Sequence, residues 1–149
     1  MVDTAGGMAG LADIPLRAHV WTVATLLPLA VRFVPLKRLL RLMTPPAWWR
    51  PYRRVATERI VAVVSARLAT PRNMKRRACL RRGLLLYHFL RLAGRAAELR
   101  FGVYPQPDAA GRMHAHAWVT LDGQDLAAPP DAPHAELLRC GGEQTPRSP

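Results

Sequence analysis

Hydrophobic positions change their period once along this chain, near Gly94. Before that point they recur at the three- and four-residue spacing of helices, and after it they alternate with polar residues as strands do. Asp13 followed by Pro15 reads as a helix start, a side-chain acceptor just ahead of a first-turn proline, which leaves "MVDTAGGMAG" as a loose terminus. Pro28 predicts a kink in that helix, Pro35 opens the next one, "PLKRLLRLMT", and "TPP" at 44–46 ends it. Trp48 and Trp49 are expected to pin the corner that follows. In "PYRRVATERIVAVVSARLAT" the residues Val55, Ala56, Ile60, Val63 and Val64 share one side and most arginines the other, a helix that stops at Thr70-Pro71.

The next helical stretch, "CLRRGLLLYHFLRLAG" at 79–94, leaves no polar face of any width, so it is expected to be buried for most of its length and capped by Gly94. "AELRFGVY" then alternates like a strand, "PQPDAAGR" is a loop rich in turn formers, and "HAHAWVTL" and "QDLAA" flank Asp122-Gly123 as a hairpin. The order predicts an α+β fold: N-terminal helices, a buried helix headed by Cys79, and an antiparallel sheet packed on it. Residues 1–12 are expected to be a flexible terminus and 141–149 a disordered tail. Between them, 13–140 forms a single domain, with a helical part at 13–70 and a core at 71–140.

Composition narrows the class. Half of the 149 residues are apolar and 21% are charged, the balance of a folded chain large enough for one self-sufficient core. Two cysteines, Cys79 and Cys140, are too few for a disulfide framework and point to a reducing, cytoplasmic setting. Residues 1–100 sum to +15 and residues 101–149 to −3. Such a charge run is most often the solvated face of helices, yet it also suits an acidic partner, and a basic adaptor for nucleic acid or a membrane surface stands as one alternative. No nucleic-acid motif accompanies the charge, so no nucleic-acid partner is expected. The uncharged run Ala18–Val31 is 14 residues long, short of the roughly 20 that span a bilayer, so no transmembrane segment is expected. A helix lying on the membrane, with Arg17, Arg32, Lys37, Arg38 and Arg41 toward anionic lipid, is the other use of this region.

Candidate chemistry centres on Cys79. A helix N-terminus presents unpaired amide N–H groups and partial positive charge, which favour a thiolate, and Arg76, Arg77, Arg81 and Arg82 add to that charge. A nucleophilic thiolate needs a proton carrier, and His114 and His116 share a strand face with Trp118, so either could look toward the cysteine helix. Cys before His, helix before sheet, is the papain-like order. The competing reading is a core cysteine and surface histidines. Two histidines at i, i+2 and a distant cysteine lack zinc-site spacing, so no metal and no cofactor is expected. His88 reads as a packed or capping residue, His134 as a surface one and Cys140 as a spare thiol near a loose end.

The run "CLRRGLLLYHFLRLAG", then "AELRFGVY", then "HAHAWVTLDG", resembles the transglutaminase-like family of lasso peptide biosynthesis, the leader-peptidase part of the B protein. The upstream "VPLKRLLRLM" and the basic helix resemble that family's N-terminal helices. The resemblance implies a cysteine protease that removes the leader from a ribosomally made precursor before an ATP-dependent lasso cyclase forms the ring. It makes Cys79 the nucleophile and His116, of "HAW", the general base and acid; an acyl transferase on the same pair is an alternative. Nothing in the first 80 residues resembles the family's leader-binding module, so a separate leader-binding protein is the implied partner, with the leader region of the precursor as substrate.

The third triad member departs from that pattern, because the family's Asp, about a dozen residues after the histidine, falls on Ala128. Pairing about a two-residue Asp122-Gly123 turn places Asp125 opposite Thr120, four residues and about 13 Å from His116. Asp131 would face His114 and lie diagonal to His116, roughly 7 to 8 Å away, and is therefore preferred, although Pro129-Pro130 interrupt the ladder before it.

Overall fold

The computed structural model describes residues 5–69, 78–104, 107, 109–126 and 135–141. Four helices, α1 (Ala5–Phe33), α2 (Leu36–Met43), α3 (Thr57–Leu68) and α4 (Ala78–Leu92), precede four strands, β1 (Ala97–Val103), β2 (Ala115–Leu121), β3 (Gln124–Asp125) and β4 (Ala135–Cys140). The strands form one antiparallel sheet in the order β3-β2-β1-β4. The α+β class and the helix-then-sheet order are as the hydrophobic periods require.

α4 is the middle layer. It packs against α1, α2 and α3 on one side and against β1 and β2 on the other. Every residue from Gly83 to Leu90 is buried, which follows from a segment with no continuous polar face. Gly94, at φ 75°, closes the helix: its N–H donates to the Arg91 carbonyl, and the Arg95 N–H donates to that of Leu90. The hairpin after β2 turns at Asp122 and Gly123, both with positive φ, as a tight turn matching strand twist demands.

Several local readings are corrected. α1 begins at Ala5, so Asp13 lies inside it rather than capping it, and the helix continues through Pro15 and Pro28. Pro28 removes one N–H, yet the inner side of the helix is held by Leu16, Val20, Ala24 and Leu27 in the core, which offsets one lost bond. The stretch Ile14–Phe33 is long and apolar enough to cross a membrane, because Arg17 and Arg32 near its ends are tolerated where a strictly uncharged count stops short. Trp48 and Trp49 do not pin the corner: they are 83% and 44% exposed. Tyr52 does that work from the core, its N–H donating to the Leu92 carbonyl and its hydroxyl bonded to His19 Nδ1 at 2.8 Å. β4, unforeseen, contains Cys140, which is half-buried with Sγ 3.8 Å from the Tyr87 hydroxyl rather than spare on a loose end. Its Ala-Glu-Leu-Leu-Arg sequence carries little alternation, and it is held by pairing to β1 through a bulge at Phe101/Gly102. The tail beyond Gly141 and His134 lie outside the described residues.

The helical layer holds two neighbouring histidines, His88 buried and His19 half-buried. His88 Nδ1 donates to the Met43 carbonyl at 2.9 Å, and its ring meets those of His19 and Phe89 edge-on. His88 is thus a packed histidine, as read from the sequence. Burial holds both His88 and His19 below the usual imidazole value of 6.5, with the Met43 carbonyl opposing the shift at His88. The folded state therefore resists protonation that the unfolded chain accepts, so stability is full above about pH 6.5 and falls as the pH drops through that value. The melting temperature is expected to decline on acidification from pH 7 to 5, and His88→Asn to flatten that slope; an equal slope in both proteins would assign the acid sensitivity to other groups.

Candidate active site

The chain path sets which ends of the layers meet. α4 and β1 are joined by four residues, Ala93 to Ala96, so β1 runs back along α4, and β2 returns antiparallel to β1. β2 therefore runs in the same sense as α4, and the first turn of the helix lies at the first residues of the strand. Cys79, second residue of α4, and His116, second residue of β2, stand at the same end of the domain.

Gly83 sets the spacing there. A Cβ built on it would lie 3.7 Å from the Ala117 Cβ and 3.0 Å from the Leu99 Cδ1, so α4 approaches the sheet closely enough that even a methyl group would have to displace the end of Leu99. Cys79 is one turn, about 6 Å, before Gly83, and His116 is the neighbour of Ala117. Gly83 was not singled out from the sequence. Its signal was available: it is the one glycine inside an unbroken apolar helix, where glycine costs about 1 kcal/mol against alanine and so needs a packing reason.

The same contact assigns the faces of β2. Ala117 and Val119 look toward α4, so by alternation His116, Trp118 and Thr120 look away from it. The expectation that the histidine face could look at the cysteine helix is thus not met within the α4–sheet interface. β3 pairs with Thr120 and Leu121, and among the described residues none pairs with the outer edge of β2 beside His116. Cys79 is half-buried and makes no hydrogen bond among the described residues.

Trp118 stacks beside the imidazole. The two rings are 6.1 Å apart and nearly parallel at 15°, and the His116 Nε2 is shielded from solvent. His114 precedes β2 and is exposed, its carbonyl accepting from the Tyr104 N–H. Asp125 faces Thr120, as the turn register requires, and is exposed and remote from His116. Asp131, Ala128, Arg76 and Arg77 lie outside the described residues. Arg81 is half-buried and Arg82 exposed on the first turns of α4. Beyond this end, the outer face of the sheet carries an ion-pair cluster: Arg100 to Glu98 at 3.0 Å, and Arg139 to Glu136 at 3.0 Å. Arg100 and Glu98 are half-buried and Arg139 and Glu136 exposed, and pairs screened by solvent contribute little stability. Among the described residues no group of three His, Cys, Asp or Glu is placed to hold a metal ion.

A helix-borne cysteine, a histidine at the head of the strand that runs alongside it, and the Cys-then-His order coincide with a family match: the model of the transglutaminase-like superfamily covers residues 23–137. The chain belongs to the transglutaminase-like superfamily. That superfamily includes cysteine proteases and acyl transferases, both of which act through a thiol that takes an acyl group. No curated protein and no solved structure matches the chain. The match begins inside α1, so the transglutaminase-like domain takes in the helical layer as well as α4 and the sheet.

Proposed function

We propose that this transglutaminase-like domain is a cytoplasmic cysteine peptidase that removes the leader from a ribosomally made lasso peptide precursor. The observation that carries the reading is that Cys79, on the first turn of α4, stands at the same end of the domain as His116, the second residue of β2. The Cys79 Sγ attacks the carbonyl that joins leader to core, with the helix N-terminal amides favouring the thiolate. His116 takes the thiol proton and gives it to the departing amine of the core as the C–N bond breaks, leaving the leader as a thioester on Cys79. Water, deprotonated by the same imidazole, then hydrolyses the thioester and restores the thiol. Trp118 keeps the ring in one orientation through both steps. Asp131 is the proposed orienting carboxylate.

Substrate delivery belongs to partners in this reading: a separate leader-binding protein brings the precursor, and an ATP-dependent lasso cyclase receives the freed core. Mass spectrometry of the precursor incubated with this chain and the leader-binding protein is expected to show free leader ending in a carboxylate. Omitting the leader-binding protein should slow cleavage at least tenfold; equal cleavage without it would remove that partner from the scheme. Leader recovered as an amide of an added amine, in place of the acid, would reassign the same Cys79–His116 pair to acyl transfer.

A further inference from the structure

The helical layer has an outer side that the peptidase reading does not use. On α1 the residues Ile14, Trp21, Leu26, Leu29 and Phe33 are all more than half exposed, along a ridge of about 30 Å. Core helices apolar enough to pass for membrane spans are mostly buried, whereas only 22% of the Ile14–Phe33 window is buried. Its inner side is not free to leave, since Leu16, Val20, Ala24 and Leu27 pack into the core beside α4. The helix is therefore placed to lie along an apolar boundary and not to cross one.

Charge selects the boundary. Residues 14–57 carry eight Lys or Arg and no Asp or Glu. Lys37, Arg38 and Arg41 are exposed on α2 beside the exposed Leu42, and the Arg32 guanidinium sits 5.7 Å from the Phe33 ring centre. Both helices pack on α4, and the exposed residues on them are separate from Cys79 and His116. A protein partner is most often met by mixed charge; an exposed apolar ridge bordered by cations, with no acidic residue between 14 and 57, is the form that sinks into headgroups and pairs with anionic lipid.

We propose that the outward face of α1 and α2 docks the domain on the surface of an anionic lipid bilayer. The inference does not depend on the peptidase reading. The full chain is expected to float with vesicles of phosphatidylcholine and phosphatidylglycerol in equal parts, with a blue shift of tryptophan fluorescence, and to stay behind with phosphatidylcholine alone. Replacing Arg32, Lys37, Arg38 and Arg41 by Gln should weaken binding about fivefold per charge removed, and high salt should mimic the change. Leu29→Ser with Phe33→Ser should weaken it at least tenfold. All six side chains are exposed, and an unchanged melting curve verifies each fold; should the serine variant unfold, the glutamine variant still decides. Equal flotation with both vesicle types, no flotation at all, or a soluble dimer that Phe33→Ser disperses would each overturn the proposal.

Discussion

On the proposed function, Cys79→Ala and His116→Ala are each expected to bring leader removal down to the level of the uncatalysed mixture, a loss on the order of 10^4- to 10^6-fold, while the melting curve stays close to that of the native protein. The size follows from how such residues act: without the thiolate no acyl-enzyme forms, and without the imidazole neither the attack nor the departure of the amine has a proton carrier. Stability is spared because Cys79 is half-buried with no hydrogen bond among the described residues, so alanine there leaves no orphaned partner. His116→Ala gives up its stacking on Trp118, worth about 1 kcal/mol. Trp118→Leu separates orientation from chemistry: it should lower kcat about tenfold or more while retaining the pH profile of the native imidazole. Native-like cleavage by both single variants would show that the pair shares one end of the domain without sharing a reaction.

Asp131→Asn extends that test. If Asp131 orients the ring, the amide variant keeps the fold and loses orders of magnitude in kcat, as triads do when the histidine loses its carboxylate. Asp125→Asn should change nothing, since Asp125 is exposed at the far end of the hairpin.

Much of this arrangement was legible in the residues because it depends on local physics. An unbroken apolar run headed by cysteine can only be a buried helix, and Asp-Gly between alternating segments can only turn tightly, which fixed the pairing of Thr120 with Asp125 correctly. The illegible parts depend on non-local contacts. Alternation places His116 and Trp118 on one face but does not say which face meets α4; that was decided by Gly83 against Ala117, a contact between residues 34 positions apart. Trp48 and Trp49 look like core by residue type, yet Tyr52 took the core position because its hydroxyl has His19 to bond. β4 has no period of its own and exists because β1 offers it an edge.

Gly83→Leu is expected to lower activity far more than stability. A Cβ at this position already meets Leu99 Cδ1 at 3.0 Å, so alanine is accommodated by a small shift of that flexible side-chain end, offset by the roughly 1 kcal/mol that alanine gains over glycine inside a helix. Gly83→Ala should melt within a few degrees of the native protein and remain active. Leucine adds atoms directed at the Ala117 backbone carbonyl, 3.7 Å from the built Cβ, where neither strand nor helix can rotate a side chain out of the way. Overpacking of this kind costs about 1 to 3 kcal/mol, which for a chain of this size lowers the melting temperature by roughly 2 to 12 °C. The displacement is taken up by α4 tilting off β2 at its first turns, the end that carries Cys79. A shift of about 1 Å between nucleophile and base is enough for a hundredfold loss in kcat. The expected result is a folded Gly83→Leu protein that cleaves precursor at about one hundredth of the native rate, with the thiol still alkylated by iodoacetamide. A variant that loses stability but retains its kcat would show that the spacing between α4 and β2 does not set the positions of Cys79 and His116.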